Sequence, residues 1–167
     1  MGRRQCPPLE WRRPPDRDRR DSAGANLAAS AITSSASELR ALVRAALLFY
    51  GVYDLTATAQ RNRSNPGLQV QLSTYVAGVE SLLDDPRASP LRAVAAGPLP
   101  PCFIVGAGED SWCLADSLAL AQALTAAASP YELHVMEGLP HGFMQMGELE
   151  GCLAAMRLMW DFLARNV

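Results

Sequence analysis

The stretch Asp21-Ser22-Ala23-Gly24-Ala25-Asn26-Leu27-Ala28 decides how this 167-residue chain is interpreted. It places a serine directly before an alanine-rich run, and residues 23–35 fit a helix. Such a serine, or Asp21 before it, can be the N-cap of the helix. The serine can also be a nucleophile on a sharp turn, where the helix N-terminus and the backbone N–H of Ala23 favour a developing negative charge. Taken alone, the triplet favours the cap, so residues farther along the chain must decide.

Two predicted strands downstream are each followed by a residue that can take part in acid–base chemistry. The apolar residues 101–106 predict a buried strand followed by Asp110, and residues 131–136 predict a further strand followed by His141. Because active sites of α/β sheets lie at the carboxyl ends of parallel strands, we expect these two side chains to meet. The alternative for each is an ordinary loop residue. On charge alone, Glu109 and Asp116 are equally good candidates for the acid.

The remaining pattern alternates strands with helices. Another apolar run, within residues 44–52, predicts a further strand. Residues 54–67 predict a loop, and residues 69–83 and 114–127 predict helices. A final helix over residues 147–165 carries an apolar stripe formed by Leu149, Cys152, Leu153, Met156, Trp160 and Leu163. Such alternation predicts the α/β class, with about three parallel strands flanked by helices in three αβα layers.

The first twenty residues differ sharply from the rest. They hold seven arginines against three acidic residues, and Pro7-Pro8 and Pro14-Pro15 block regular structure. We therefore predict a disordered Arg/Pro-rich tail over residues 1–20. A nucleic-acid partner is not expected, since no recognition motif is present and residues 21–167 hold more acidic than basic side chains.

The composition of the chain limits which kinds of binding site and which cellular locations are expected. The four cysteines form no Cys-x-x-Cys pair and there are only two histidines, so no metal and no cofactor are expected. Scattered cysteines fit reduced thiols and a cytoplasmic location. No membrane span is expected, because the sequence contains no run of eighteen apolar residues.

Residues 21 to about 165 resemble the hormone-sensitive-lipase-like branch of the bacterial α/β-hydrolases, the acetyl esterase and carboxylesterase group. The family's Gly-Asp-Ser-Ala-Gly-Gly-Asn-Leu-Ala elbow is matched by residues 21–28. Its later landmarks are matched by Leu48-Phe49-Tyr50-Gly51, Gly108-Glu109-Asp110 and Gly138-Leu139-Pro140-His141-Gly142-Phe143. The resemblance implies a carboxylic-ester hydrolase that acts on short acyl esters through an acyl-enzyme. It further implies Ser22 as nucleophile, Asp110 as orienting acid, His141 as general base and the Ala23 N–H as oxyanion donor.

The sequence also departs from the family's pattern. Arg20 stands where the elbow has its first glycine, residues 17–20 are too charged to form the buried strand before the serine, and no His-Gly-Gly-Gly loop occurs. We therefore expect residues 21–167 to be the C-terminal half of a hydrolase domain, truncated by a frameshift, a wrong start or gene decay. We expect the isolated chain to be weakly active or inactive.

An alternative function follows from the same departures. The strand near residues 47–50 would lie at the edge of the sheet, and an apolar unpaired edge favours pairing with another chain. The chain would then be a non-catalytic fragment or pseudoenzyme. Its partner would be a second copy or a separate N-terminal half.

Overall fold

The structure is a computed structural model that describes residues 21–167. The predicted tail over residues 1–20, and Arg20 with it, lies outside the described residues.

Three parallel strands form the sheet, as the sequence predicts. They are β1 (Ala46–Phe49), β2 (Cys102–Ala107) and β3 (Tyr131–Met136), in the order β1-β2-β3. The register pairs Leu48 with Ile104, and Ile104 with Leu133. Every residue of β2 is buried, as a central strand covered on both faces requires.

Helices cover both faces of the sheet, which confirms the three-layer arrangement. They are α1 (Ser22–Ser34), α2 (Ser37–Arg40), α3 (Leu55–Arg61), α4 (Pro66–Tyr75), α5 (Leu114–Ala126) and α6 (Glu150–Asn166). One core cluster joins α1 and α5 to the sheet through Ile32, Leu48, Ile104 and Leu124. A second cluster joins α6 to the opposite face, where Phe162 packs on Phe103 at a ring distance of 5.3 Å.

The loop predicted over residues 54–67 is wrong for most of its length. Asp54 caps α3 by accepting a hydrogen bond from the N–H of Ala57 at 2.9 Å. Asn65 caps α4 in the same way through the N–H of Leu68, and Pro66 occupies the first position of that helix. The polar residues taken as loop signals are therefore helix caps.

Two predicted helical features also need correction. The helix predicted over residues 69–83 ends at Tyr75, because Ala77 and Gly78 adopt positive φ, and a separate 3-10 turn follows at Glu80–Asp84. In α6 the predicted stripe has Trp160 61% exposed, whereas Ala155 and Phe162 are buried. The helix turns its small Ala155 and aromatic Phe162 toward the sheet, a choice that spacing alone does not specify.

Within residues 21–167, no helix combines the length and the apolar character needed to cross a membrane.

Candidate active site

The loops that follow β2 and β3 are joined by backbone hydrogen bonds. The N–H of Gly108 donates to the carbonyl of Met136, and the N–H of Glu109 donates to that of Leu139, both at 2.9 Å. Because the two strands are parallel neighbours, their carboxyl ends emerge side by side. The loops carry their next side chains toward each other.

Those side chains are Asp110 and His141. Nδ1 of His141 lies 2.5 Å from Oδ2 of Asp110, and the carboxylate side chain is only 1% exposed. The imidazole is packed between aromatic rings, with the Tyr50 ring centroid 5.0 Å away and that of Trp112 6.3 Å away. The pair thus fixes the imidazole orientation and leaves its other nitrogen, Nε2, free of the carboxylate.

Asp110 is itself held by the start of the next segment. Its Oδ1 accepts hydrogen bonds from the backbone N–H groups of Trp112 at 2.9 Å and Cys113 at 3.0 Å. Burial alone would raise the pKa of this carboxyl, but the hydrogen bonds from His141, Cys113 and Trp112 outweigh it and hold the pKa below its ordinary value. The carboxylate is therefore ionised at neutral pH and can stabilise a proton on His141.

Gly108 permits the close approach of the loops that follow β2 and β3. Substitution of this glycine tests that role. A Cβ at this position would lie 2.9 Å from Cα of Glu137 and 3.1 Å from the carbonyl oxygen of Met136. Since backbone atoms cannot rotate away, Gly108→Ala is expected to lower the free energy of unfolding by about 1–3 kcal/mol in urea titrations. Gly67→Ala is the matched control, because its added methyl group meets only Asn65 Oδ1 at 3.5 Å. Equal stability of the two variants would contradict the steric argument.

Ser22 begins helix α1 rather than capping it. The N-cap position belongs to Asp21, and the first helical hydrogen bond runs from the N–H of Ala25 to the carbonyl of Asp21 at 2.6 Å. The N–H groups of Ser22, Ala23 and Gly24 are thus not used within the helix. The capping role considered for Ser22 does not describe this geometry.

The side chain of Asp21 points to the sheet. Its Oδ2 accepts a hydrogen bond from the hydroxyl of Tyr50 at 2.6 Å, and Tyr50 is fully buried at the end of β1. Burial, followed by this hydrogen bond, raises the pKa of Tyr50 and keeps the phenol protonated as a donor. The contact anchors the start of α1, and with it Ser22, at the carboxyl end of the sheet.

A cavity of about 420 Å³ brings the predicted residues together. Ser22, Ala23 and His141 line one part of it, beside Cys113. The other walls are mostly apolar, with Val52, Leu55, Leu68, Leu72, Tyr75 and Trp112. Its size and lining suit a small organic ligand with an apolar group.

The Ser22 hydroxyl does not donate a hydrogen bond to His141 in this structure. Among residues 21–167 no hydrogen bond joins the Ser22 hydroxyl to His141, although Ser22, Cys113 and His141 line the same cavity. Burial, with the nearby Asp110, raises the pKa of Cys113, so this thiol stays neutral despite the opposing effect of Ser22. In unliganded enzymes, catalytic hydrogen bonds are often long and tighten only with substrate bound.

The alternative acids lie elsewhere. Glu109 is exposed. Asp116 is fully buried and accepts hydrogen bonds from the N–H of Tyr53 at 3.1 Å, the hydroxyl of Thr58 at 2.7 Å and the guanidinium of Arg61 at 2.6 Å. It ties α5 to α3 rather than facing the cavity.

Sequence reasoning gave no role to three residues that shape the site. Tyr50 anchors Asp21, and Asn26 donates to the carbonyls of Val52 and Ala88 while accepting from Tyr75. Cys113 adjoins both Ser22 and Asp110. Tyr50 and Asn26 fall inside the stretches that carry the family resemblance, so position within a motif was the available signal.

Comparison with known proteins agrees with this architecture. A parallel sheet between helices, with a serine, an acid and a histidine in that chain order at the carboxyl ends of the strands, is an arrangement found in α/β-hydrolases. A family model for the alpha/beta hydrolase fold matches residues 21–145. The chain therefore belongs to the α/β-hydrolase fold family, in its hormone-sensitive-lipase-like branch. No curated protein matches the chain significantly.

Solved esterase structures share the fold. An esterase from Pyrobaculum calidifontis superposes with a TM-score of 0.71 at 23% identity, covering 88% of this chain and 51% of its own. A thermostable esterase from Pseudomonas putida gives 0.70 at 23%, covering 83% and 47%. An esterase/lipase from an uncultured bacterium gives 0.69 at 22%, covering 86% and 50%. The chain thus spans about half the length of the structures it matches.

Proposed function

We propose that this chain carries the catalytic residues of a serine hydrolase that cleaves carboxylic esters with short acyl groups. The observation that supports this most directly is the hydrogen-bonded pair of His141 and Asp110, which borders the cavity that Ser22 and Ala23 also line. A nucleophile, a base, an orienting acid and backbone donors are the groups that acyl transfer requires.

Each group has a role that its surroundings support. Nε2 of His141 takes the proton of the Ser22 hydroxyl as Oγ attacks the ester carbonyl, and then returns it to the leaving alcohol. Asp110 holds Nδ1–H and stabilises the imidazolium, since its carboxylate is ionised and buried. The N–H of Ala23, unused by α1, donates to the oxyanion at the positive end of the helix. Water then releases the acid from the acyl-enzyme.

The substrate class follows from the cavity. Four aliphatic side chains, Val52, Leu55, Leu68 and Leu72, line the same cavity as Ser22 and His141. A short acyl chain can bury its apolar surface against these side chains while its carbonyl faces Ala23.

Labelling with a fluorophosphonate tests this proposal. The purified chain is expected to be labelled slowly, and Ser22→Ala and His141→Ala are expected to abolish labelling because one removes the nucleophile and the other its base. Turnover of a p-nitrophenyl ester is expected to be weak, since the sequence has no His-Gly-Gly-Gly loop and one oxyanion donor alone is worth about 10²–10³ in kcat.

Circular dichroism on each variant supplies the folding control for that experiment. Labelling that survives Ser22→Ala would overturn the assignment of the nucleophile. Rapid ester turnover that is lost in Ser22→Ala would support the triad but contradict the expected weakness.

A second candidate is pairing with another chain through the outer edge of β1. The N–H groups of Ala46 and Tyr50 donate to carbonyls before and within β2, so those of Leu47 and Phe49 face the other way. In the described sheet β1 has β2 as its one neighbour. An edge of this kind is a template for strand addition.

Light scattering across a concentration series tests this second candidate. We expect a mass above that of the 18.0 kDa monomer, rising with concentration. A purely monomeric chain at high micromolar concentration would contradict self-pairing. In that case, a gain in labelling on adding a separately expressed N-terminal half of an esterase from this family would still support a heterologous partner, and no gain would contradict it.

A further inference from the structure

Asp110, Cys113 and His141 bring three possible metal-ligand atoms together in the candidate active site. The proposed acyl transfer uses Asp110 and His141 but not Cys113. One atom each from Asp110, Cys113 and His141 lies within 4.8 Å of the other two. Asp110 and Cys113 are buried, and His141 is partly exposed. A carboxylate, a thiol and an imidazole on two adjoining loops form a mixed oxygen, sulfur and nitrogen donor set.

We propose that these three residues form a binding site for Zn²⁺, at which the metal inhibits rather than assists ester hydrolysis. Zn²⁺ accepts thiolate, imidazole and carboxylate ligands at about 2.3, 2.0 and 2.0–2.2 Å, most often as a tetrahedron. Ligand atoms around such an ion stand roughly 3.3–3.7 Å apart. The separations in this set reach at most 4.8 Å, so the widest needs to contract by about 1–1.5 Å. The 2.5 Å between Oδ2 of Asp110 and Nδ1 of His141 must open by about 1 Å as the ion enters between them.

The surroundings favour three protein ligands and leave the fourth coordination position of the ion for water. Oδ1 of Asp110 is occupied by the N–H groups of Trp112 and Cys113, which leaves Oδ2 directed at the site. Cys113 and His141 both line the cavity, so the ion has an entry path and a water can fill the fourth position. Mg²⁺ and Ca²⁺ prefer oxygen ligands only, so this donor set disfavours them.

Binding rearranges the protons in a defined way. The Cys113 thiol loses its proton to solvent as the sulfur becomes a thiolate ligand. Nδ1 of His141 is the nitrogen next to Asp110, so the ion replaces the proton between them and the imidazole carries its proton on Nε2 instead. An imidazole protonated at Nε2 cannot accept the proton of Ser22. Zn²⁺ at this site would therefore block acyl transfer without touching the nucleophile.

Cobalt spectroscopy tests the site independently of any esterase activity. Co²⁺ added to the full reduced chain is expected to bind once, to give a thiolate-to-cobalt charge-transfer band, and to be displaced by Zn²⁺. The band should vanish in Cys113→Ser, and Zn²⁺ affinity should fall at least about tenfold, since even indirect partners of a metal ligand are worth that much. Cys6→Ser and Cys152→Ser are matched controls that should keep the band.

The outcomes separate this site from the proposed hydrolase. No band with the folded wild-type chain, or an equal band in Cys113→Ser, would overturn the site. If the chain also reacts with the fluorophosphonate, Zn²⁺ should suppress labelling in a way that EDTA reverses, and Cys113→Ser should need at least about tenfold more Zn²⁺. If the chain does not react, the cobalt spectra alone decide.

Discussion

Asp110→Asn is expected to reduce the rate of fluorophosphonate labelling of Ser22 by about 10⁴-fold, the loss of kcat seen when the acid of a serine protease triad becomes an amide. An asparagine keeps the shape of Asp110 and can accept from Trp112 and Cys113, so the loop should stay folded. It does not supply the charge that stabilises the imidazolium. Its amide N–H also favours the wrong tautomer of His141, with the proton on Nε2.

The tautomer of His141 can be measured independently of activity. It should change if Asp110 orients the imidazole, and it should stay the same if Asp110 only stabilises the fold. Nitrogen chemical shifts of His141 should report Nδ1–H in the wild-type chain and a shift toward Nε2–H in Asp110→Asn. Glu109→Gln is the matched control, because Glu109 is exposed on the same loop. Labelling of Asp110→Asn at the wild-type rate, with the tautomer unchanged, would remove Asp110 from the proposed triad.

Asp110 also makes the stability of the wild-type chain depend on pH, and Asp110→Asn removes this dependence. Folding lowers the pKa of Asp110 from its ordinary 3.8, so the folded state binds its proton less readily than the unfolded state. The carboxylate therefore contributes stability that is fully present above that pH and is lost as the pH falls through the lowered pKa. The stability difference between wild type and Asp110→Asn should shrink below pH 3.8.

Asp116→Ala is expected to destabilise the fold by about 3–5 kcal/mol. It removes the acceptor for the buried N–H of Tyr53, the buried hydroxyl of Thr58 and the guanidinium of Arg61. Arg61 can turn toward water, since its side chain is 38% exposed, but the two buried donors cannot. A native stability of about 5–15 kcal/mol leaves little margin for such a loss.

Urea unfolding measures this effect, and a surface pair supplies the control. Asp85 and Arg87 form an ion pair at 2.7 Å, close to the 2.6 Å of Asp116 and Arg61, but the Asp85 side chain is 21% exposed and that of Arg87 76% exposed, against 1% for Asp116. Asp85→Ala should leave the unfolding midpoint unchanged within experimental scatter. If Asp116→Ala cost less than about 1 kcal/mol, the buried network would not have the structural role assigned to it.

The prediction from sequence was accurate where a single local rule applied. Continuous apolar runs identified β1 and β2, because a strand covered on both faces must be largely apolar. β3 contains Glu132 and His134 and is half-buried along its length, so no such run marks it. The prediction failed where the same residue types are common in two kinds of local structure. Asp54 and Asn65 were taken as loop residues and are helix caps, and the spacing of Trp160 in α6 suggested burial that the packing of Phe162 against Phe103 excludes.

The sequence by itself determined the family, the order of the three strands, and Ser22 and His141 as candidate catalytic residues, since these depend on residue type and chain order. Only the tertiary structure decided which acid meets His141, because Glu109, Asp110 and Asp116 differ in direction and not in charge. It alone also brought Cys113 to Ser22, and Tyr50 to Asp21, across 91 and 29 positions of chain. Such contacts arise from the parallel alignment of strand ends, which no local pattern in the sequence encodes.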